Sequence, residues 1–268
     1  MDVDPFRNLL NCMVAAAVLS LCGATDADSK ILRASDVHAR LAKAPLSMFL
    51  AKGDKDACGP GCDTWIAVEG QFDEGAAQRF AAFVRRLENK SVPVFLNSPG
   101  GLTDEGLALG RFLRDHGIRA GIARSAATCG GAPECKAQIA AGRPVPATWN
   151  SRDAVCSSAC VFALLGATER AIPDGVKIGV HATAYFCFGE DGRELRPVGS
   201  SKDAVECRSQ LSVRMQQLAR YIADMGISRE LVAVIDSVPS SRIRFLTRDE
   251  IRRFRIETKS DRASLSSR

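Results

Sequence analysis

Two periods of apolar spacing organise the chain from Thr64 onward. Trp65-Ile66-Ala67-Val68 is an unbroken apolar run closed by Gly70, which predicts a buried strand. Glu74 to Leu87 then sets Ala77, Phe80, Ala81, Val84 and Leu87 on one helical face. Val92-Pro93-Val94-Phe95-Leu96 predicts the next strand, and it runs into Asn97-Ser98-Pro99-Gly100-Gly101. Thr103 or Asp104 can cap the helix that follows, which carries Leu107, Leu109, Phe112 and Leu113 and stops at Gly117. Ile118 to Ala123 is a third strand. Strand, helix, strand, helix, strand at this spacing means an α/β fold with parallel strands and right-handed crossovers. No internal repeat is visible.

Residues 126–153 break the pattern with Gly, Pro and two cysteines, and a stretch of that length without a period is expected to be a lid or substrate-binding loop, tied by Cys129 and Cys135. Val155 to Leu165 is small and apolar, fit for a buried helix. Val176 to Val180 is a strand that ends at His181. Leu211, Met215, Leu218, Ile222 and Met225 mark one face of a long helix that is either core or an assembly surface, and Thr247 with Glu250 forms a capping box. At the other end, Leu9 to Ala24 is apolar except for Asn11 and Ser20 and follows Arg7, which reads as a secretory signal peptide over residues 1–24, cleaved after Ala24. The run falls short of the roughly 20 apolar residues a spanning helix needs. Asp2 and Asp4 weaken the positive start, so an uncleaved membrane anchor is the alternative. Residues 25–63 are a leader whose role is not readable, with an amphipathic piece around Val37 to Leu50, and residues 258–268 are a polar, loose tail.

Composition narrows the function classes. In 268 residues, 46% hydrophobic content can build a core, and the net charge of +5 is spread without a basic block. With aromatics at 6%, neither nucleic-acid binding nor a stacking platform for single strands fits. Past the apolar start stand Cys58, Cys62, Cys129, Cys135, Cys156, Cys160, Cys187 and Cys207. An even number in an exported chain implies disulfides, with close spacings favouring local pairs such as Cys58 with Cys62. A zinc site is the weaker reading, because there is no CxxC pair and the only histidines are His38, His116 and His181. No metal or other cofactor is expected.

Three pieces carry candidate chemistry. Asn97-Ser98-Pro99-Gly100-Gly101 lies at a strand's carboxyl end, where α/β sheets place ligands. Adjacent glycines there can aim N–H groups at an oxyanion, although Gly and Pro also dominate simple turns. Cys156-Ser157-Ser158-Ala159-Cys160 puts a hydroxyl at the start of a helix, as a nucleophile or as an ordinary N-cap. His181 at a strand end is a plausible general base, though a lone histidine is more often structural.

In this order the three pieces resemble the proteolytic subunit of the Clp protease, within the ClpP/crotonase superfamily, and most of all its exported ClpP-like members. The resemblance covers roughly residues 65–255. It rests on Gly70, the Asn-Ser-Pro-Gly-Gly turn with Glu105-Gly106, the Ser158 segment running into Phe162-Ala163-Leu164-Leu165, Arg170 with Pro173, and His181. It implies a spiral of parallel strands with flanking helices, as a ClpP-like domain over 64–257 with an insertion at 126–153. It also implies Ser158 as nucleophile, His181 as its base, and the N–H groups of Gly101 and Ala159 as oxyanion hole, supported by Asn97, Ser98, Pro99 and Gly100. Ser157 is the rival nucleophile, and counting back from Phe162 favours Ser158.

One departure weakens the implied triad. The family's acid falls just before an Arg-Phe-Leu segment, and here Ile243 precedes Arg244-Phe245-Leu246. Asp236 is the nearest upstream acid, so a Ser-His dyad, a triad with Asp236 and an inactive site all stay open. The expectation is an exported, periplasmic serine peptidase or related hydrolase acting on peptide or protein. The alternatives are a noncatalytic ClpP-like binding or assembly protein and, less favoured, a crotonase-type acyl-CoA enzyme. Such chains can form homo-oligomeric rings, and no ATPase partner is expected outside the cytoplasm.

Overall fold

The computed structural model describes residues 31–33 and 44–258. The expected signal peptide or anchor, the leader apart from residues 31–33 and 44–63, and the tail beyond residue 258 lie outside them. Among the described residues no helix is long and apolar enough to cross a membrane. In chain order the elements are β1 (Ile31–Arg33), β2 (Ser47–Lys52), β3 (Thr64–Glu69), α1 (Ala76–Arg86), β4 (Val94–Asn97), α2 (Thr103–Asp115), β5 (Ala120–Ile122) and β6 (Arg124–Ala127). Then come α3 (Pro133–Ala140), β7 (Val145–Asn150), β8 (Val155–Ser157), α4 (Ala159–Gly166), β9 (Arg170–Ala171), β10 (Lys177–Val180), β11 (Cys187–Phe188) and β12 (Glu194–Leu195). The chain closes with α5 (Lys202–Asp224), α6 (Glu230–Ser237), β13 (Arg242–Phe245) and α7 (Arg248–Arg253).

The α/β reading holds. β3, β4, β5 and β9 are parallel neighbours in a seven-stranded sheet ordered β6-β7-β2-β3-β4-β5-β9, with helices packed against it. A second sheet, β1-β13-β10-β8, pairs β10 parallel with β8 and antiparallel with β13. The two sheets meet where Ser98, one residue past β4, bridges Cys156 of β8.

The unbroken apolar runs have a simple cause: both faces of the central strands are covered. Ile66, Val68, Val94 and Leu96 enter a core shared with Phe80, Val84, Leu109 and Leu113. Their alternates Trp65, Ala67 and Phe95 point the other way, into a second core with Phe49, Ala51, Ala123, Cys135 and Val145. That second core corrects one expectation. Residues 126–153 are not a lid, because β6, α3 and β7 extend the sheet and roof over Trp65 and Phe95, with Trp149 packed edge-on against Phe95 at 5.4 Å. The leader, whose role was not readable, supplies a strand where it is described, since Ser47–Lys52 pairs antiparallel with β3 along its whole length. The eight cysteines among the described residues are all paired, Cys58–Cys62, Cys129–Cys135 and Cys156–Cys160 over short spans and Cys187–Cys207 over 20 residues.

Helices α2 and α4 sit closer than ordinary side chains permit. A Cβ on Gly106 would strike the backbone of Ala159, one on Gly110 would strike Tyr221 Oη and the Phe162 carbonyl, and one on Gly166 would strike the backbone of Gly110. Tyr221 of α5 locks the pair by donating to the Phe162 carbonyl at 2.6 Å. Its neighbours Leu218 and Ile222 are also core, while Val205 and Val213 in the first half of the same helix are exposed. Buried Arg170 ties off the end of α4, donating to the carbonyls of Ala167 (2.7 Å), Leu165 (3.2 Å) and Ile256 (2.6 Å). Adding a methyl at Gly166 forces two backbones apart, so Gly166→Ala should cost about 3 kcal/mol by urea denaturation. A loss under about 1 kcal/mol would mean the helices have room to spare.

Candidate active site

The turn after β4 is built against β8. Ser98 N–H donates to the Val155 carbonyl at 2.7 Å and its own carbonyl accepts from Ser157 N–H at 3.1 Å. Asn97 spans the gap behind it, its Oδ1 accepting from Val155 N–H (3.0 Å) and its Nδ2 donating to Glu69 Oε2 (2.7 Å). Past Pro99, Ser98 Oγ accepts from Gly100 N–H at 3.1 Å. Gly100 has φ 107°, and a Cβ there would lie 2.6 Å from Ser158 Cβ and 2.7 Å from the Ser157 carbonyl oxygen. Only glycine fits, on conformation and on space. Phe72 N–H donates to the Gly100 carbonyl (2.8 Å) and Leu102 N–H donates to Phe72 O (2.7 Å). In this isolated parallel bridge Gly101 is flanked by the two bonded groups, which turns its own N–H to the other side of the chain.

Ser158 joins β8 to α4. The expected continuous helix from Val155 is broken here, because the preceding three residues are held as a strand by Ser98 and by β10. Ser158 has φ 54° and ψ −122°, a conformation that costs a non-glycine residue about 1–3 kcal/mol. Its N–H is held by the Gly179 carbonyl at 2.9 Å. It occupies the N-cap position of α4, yet its side chain makes no capping hydrogen bond. An N-cap serine normally takes an extended backbone and offers its oxygen to the first turn. Ser158 does neither, and it is a partly exposed residue at the N-terminus of a buried helix. Ser157 differs in kind: it is fully buried, its Oγ lies against Gly179, and it has no hydrogen-bond partner among the described residues.

His181 directly follows β10, and Gly179 of β10 lies beside Ser157 of β8 in parallel register. Ser158 and His181 therefore leave the same ends of adjacent strands. The imidazole Nδ1 is 2.8 Å from the Ala182 carbonyl. A carbonyl can only accept, so Nδ1 carries the proton and Nε2 keeps its lone pair. The Ala182 N–H in turn donates to the Val238 carbonyl at 2.7 Å. Two residues are placed away from this bond. The pairing of Gly179 with Phe245 and Val180 with Arg244 carries fully buried Ile243 to the position opposite His181. Asp236 is exposed on α6 and has no hydrogen bond or ion pair among the described residues, and partial burial raises its pKa with no cation to offset it.

Sequence reasoning missed the network behind the turn. Glu69, at the end of β3, accepts from Asn97 Nδ2 and from Ser125 N–H, while Ser125 Oγ accepts from Trp65 Nε1 at 2.9 Å. Burial pushes the Glu69 pKa up to about 7, against the lowering effects of its two donors and Arg124. An acid closing an apolar strand run was the available signal. A groove of about 410 Å³ opens between residues 185–188 and the first half of α5, lined by Tyr185, Phe186, Leu211 and Arg214, and Arg214 reaches Asp104 of α2 at 3.6 Å.

Between pH 4.5 and 7 folded Glu69 binds a proton that the unfolded chain has already lost. Stability must therefore fall as pH rises through that window, by about 3 kcal/mol from this residue. Chemical denaturation across pH 4.5–7.5 should show the parent losing that amount relative to Glu69→Gln. Parallel curves would mean the carboxyl is not held in a dry site.

No family model matches the chain, and no curated protein matches it. Solved structures do. Two are variants of 1510-N, a membrane-bound stomatin-specific protease. One has TM-score 0.41, 14% identity and coverage of 71% of this chain and 75% of that one. The other, in complex with a substrate peptide, has TM-score 0.42, 14% identity and coverage of 71% of each. A variant of ClpP1 from Listeria monocytogenes has TM-score 0.42, 16% identity and coverage of 73% of this chain and 91% of that one. The chain is similar to these proteases at that level, and no residue role passes from them to it.

Proposed function

We propose that this protein is an exported serine hydrolase of ClpP-like type, acting on peptide or protein through a Ser158–His181 dyad. The observation that carries the reading is Ser158 itself: a non-glycine residue at φ 54° that occupies an N-cap position and withholds its hydroxyl from capping. Strained backbone of this kind persists where the surroundings over-determine it, and such places are commonly functional.

In the reaction, Ser158 Oγ attacks the scissile carbonyl carbon as His181 Nε2 takes its proton. Charge develops on the carbonyl oxygen, and the N–H groups of Gly101 and Ala159 receive it, on either side of the Gly100–Ser158 contact. The proton then passes from Nε2 to the leaving group, which departs and leaves an acyl-Ser158. Water then attacks the acyl carbon as Nε2 takes its proton, and return of that proton to Ser158 Oγ as the C–Oγ bond breaks releases the acid and restores the serine. The Ala182 carbonyl does the orienting part of an acid's work by fixing the tautomer. Four disulfides support an oxidising compartment, and the groove beside Tyr185 and Phe186 offers apolar room for a substrate side chain.

Hydrolysis of an activated ester and of casein should disappear in Ser158→Ala. Asp236→Asn should stay within about twofold of the parent, whereas an acid that orients the base in a triad is worth up to about 10⁴. Undiminished turnover in Ser158→Ala would end the reading, and a collapse in Asp236→Asn would restore the triad. Alkylation of the denatured, unreduced protein should find no more than two thiols, the number Cys12 and Cys22 supply if the N-terminal segment is kept. More than two would contradict an oxidising compartment.

A further inference from the structure

Resting on the assignment of Ser158 as nucleophile, we propose that the Cys156–Cys160 disulfide is a positioning element that holds Ser158 out of the N-cap conformation, so that the hydrolase is active oxidised and silent reduced. The bridge brackets Ser158 by two residues on each side, joining the middle of β8 to the first turn of α4. Both cysteines are fully buried, in the core that β8 and α4 share. No other disulfide touches this junction. Cys58–Cys62 and Cys129–Cys135 brace the second core, and Cys187–Cys207 ties β11 to α5.

The short span is informative. A cross-link stabilises a fold chiefly by removing loop-closure freedom from the unfolded chain, and the effect grows with loop length. A separation of 4, against 20 for Cys187–Cys207, makes this bridge a weak global staple. Locally it is a strong constraint, because it fixes the distance across one residue whose backbone is in a costly conformation. Without it a lower-energy state is close at hand. Rotation of Ser158 to extended φ and ψ lets its Oγ accept from the N–H groups of the first turn of α4, as serine at a helix start ordinarily does. A hydroxyl so engaged is aimed away from His181. The chemistry of the switch is dithiol exchange: a thioredoxin-type dithiol gives two electrons and two protons, the S–S bond breaks to two thiols, and the donor leaves as its own disulfide.

The test is the rate at which a fluorophosphonate labels Ser158, read by intact mass on the oxidised full chain and on two double variants. Cys156→Ala with Cys160→Ala should label at least tenfold more slowly than the parent at equal folded fraction by circular dichroism. Cys58→Ala with Cys62→Ala removes a bridge of the same span remote from Ser158 and should stay within twofold. Equal labelling of the parent and the Cys156/Cys160 variant would overturn the proposal while leaving the nucleophile assignment intact. A parent that never labels overturns that assignment instead. Should the Cys156/Cys160 variant not fold, the parent is titrated with dithiothreitol and each bridge is followed by alkylation and peptide mapping. Labelling should fall in step with opening of Cys156–Cys160 and return on reoxidation by oxidised glutathione. Labelling that persists after that bridge opens, or does not return, would contradict it.

Discussion

Everything at the candidate site depends on one close approach, the backbone of Gly100 lying against Ser158. A Cβ at residue 100 would come within 2.6 Å of the serine, so the turn and the nucleophile strand share space that only a missing side chain provides. From that contact outward the structure is constrained in both directions. Ser98 must pair with β8 to bring the turn alongside, which joins the two sheets, and α4 must start where β8 stops. The glycine contacts between α2 and α4 follow, because two helices that spring from neighbouring strands at this separation cannot keep ordinary side chains between them. Glu105 makes the same point from the side, accepting from the N–H groups of Gly75 and Ala77 at 2.9 and 2.8 Å and so fixing the start of α1 to the first turn of α2.

What was legible in the sequence is what local spacing determines. The runs at Trp65–Val68 and Val94–Leu96, the helices between them and the capping box at Thr247 and Glu250 are where periodicity put them, since each is set by residues a few positions apart. Close spacing favoured the Cys58–Cys62 and Cys129–Cys135 bridges, while the full connectivity, with Cys156–Cys160 and Cys187–Cys207, was not readable. Residues 126–153 were misread because their order comes from a partner distant in sequence: β7 lies parallel to β2, whose residues precede it by almost a hundred positions, and both serve to cover Trp65 and Phe95. Ser158, His181 and the Asn97–Gly101 turn were picked out as candidates by residue type, order and the family resemblance. The positive-φ backbone of Ser158 was not, because its contacts with Gly179 and Gly100 come from residues distant in the chain.

The residue standing where the family resemblance expects an acid is set by the same kind of long-range pairing. β13 brings an apolar residue, Ile243, to the place opposite His181, while the imidazole turns to the carbonyl of its own successor, Ala182. A carbonyl accepts the Nδ1 proton and so selects the tautomer as a carboxylate does.

The central claim is that Ser158 and not its neighbour carries the reactive hydroxyl. Covalent labelling of the native protein with a fluorophosphonate, followed by tandem mass spectrometry of the peptide that contains both serines, tests it directly. The account predicts an adduct on Ser158 alone, formed by the folded protein and lost when the protein is unfolded before labelling. An adduct on the buried Ser157, or none at all on a protein that still hydrolyses an activated ester, would contradict it.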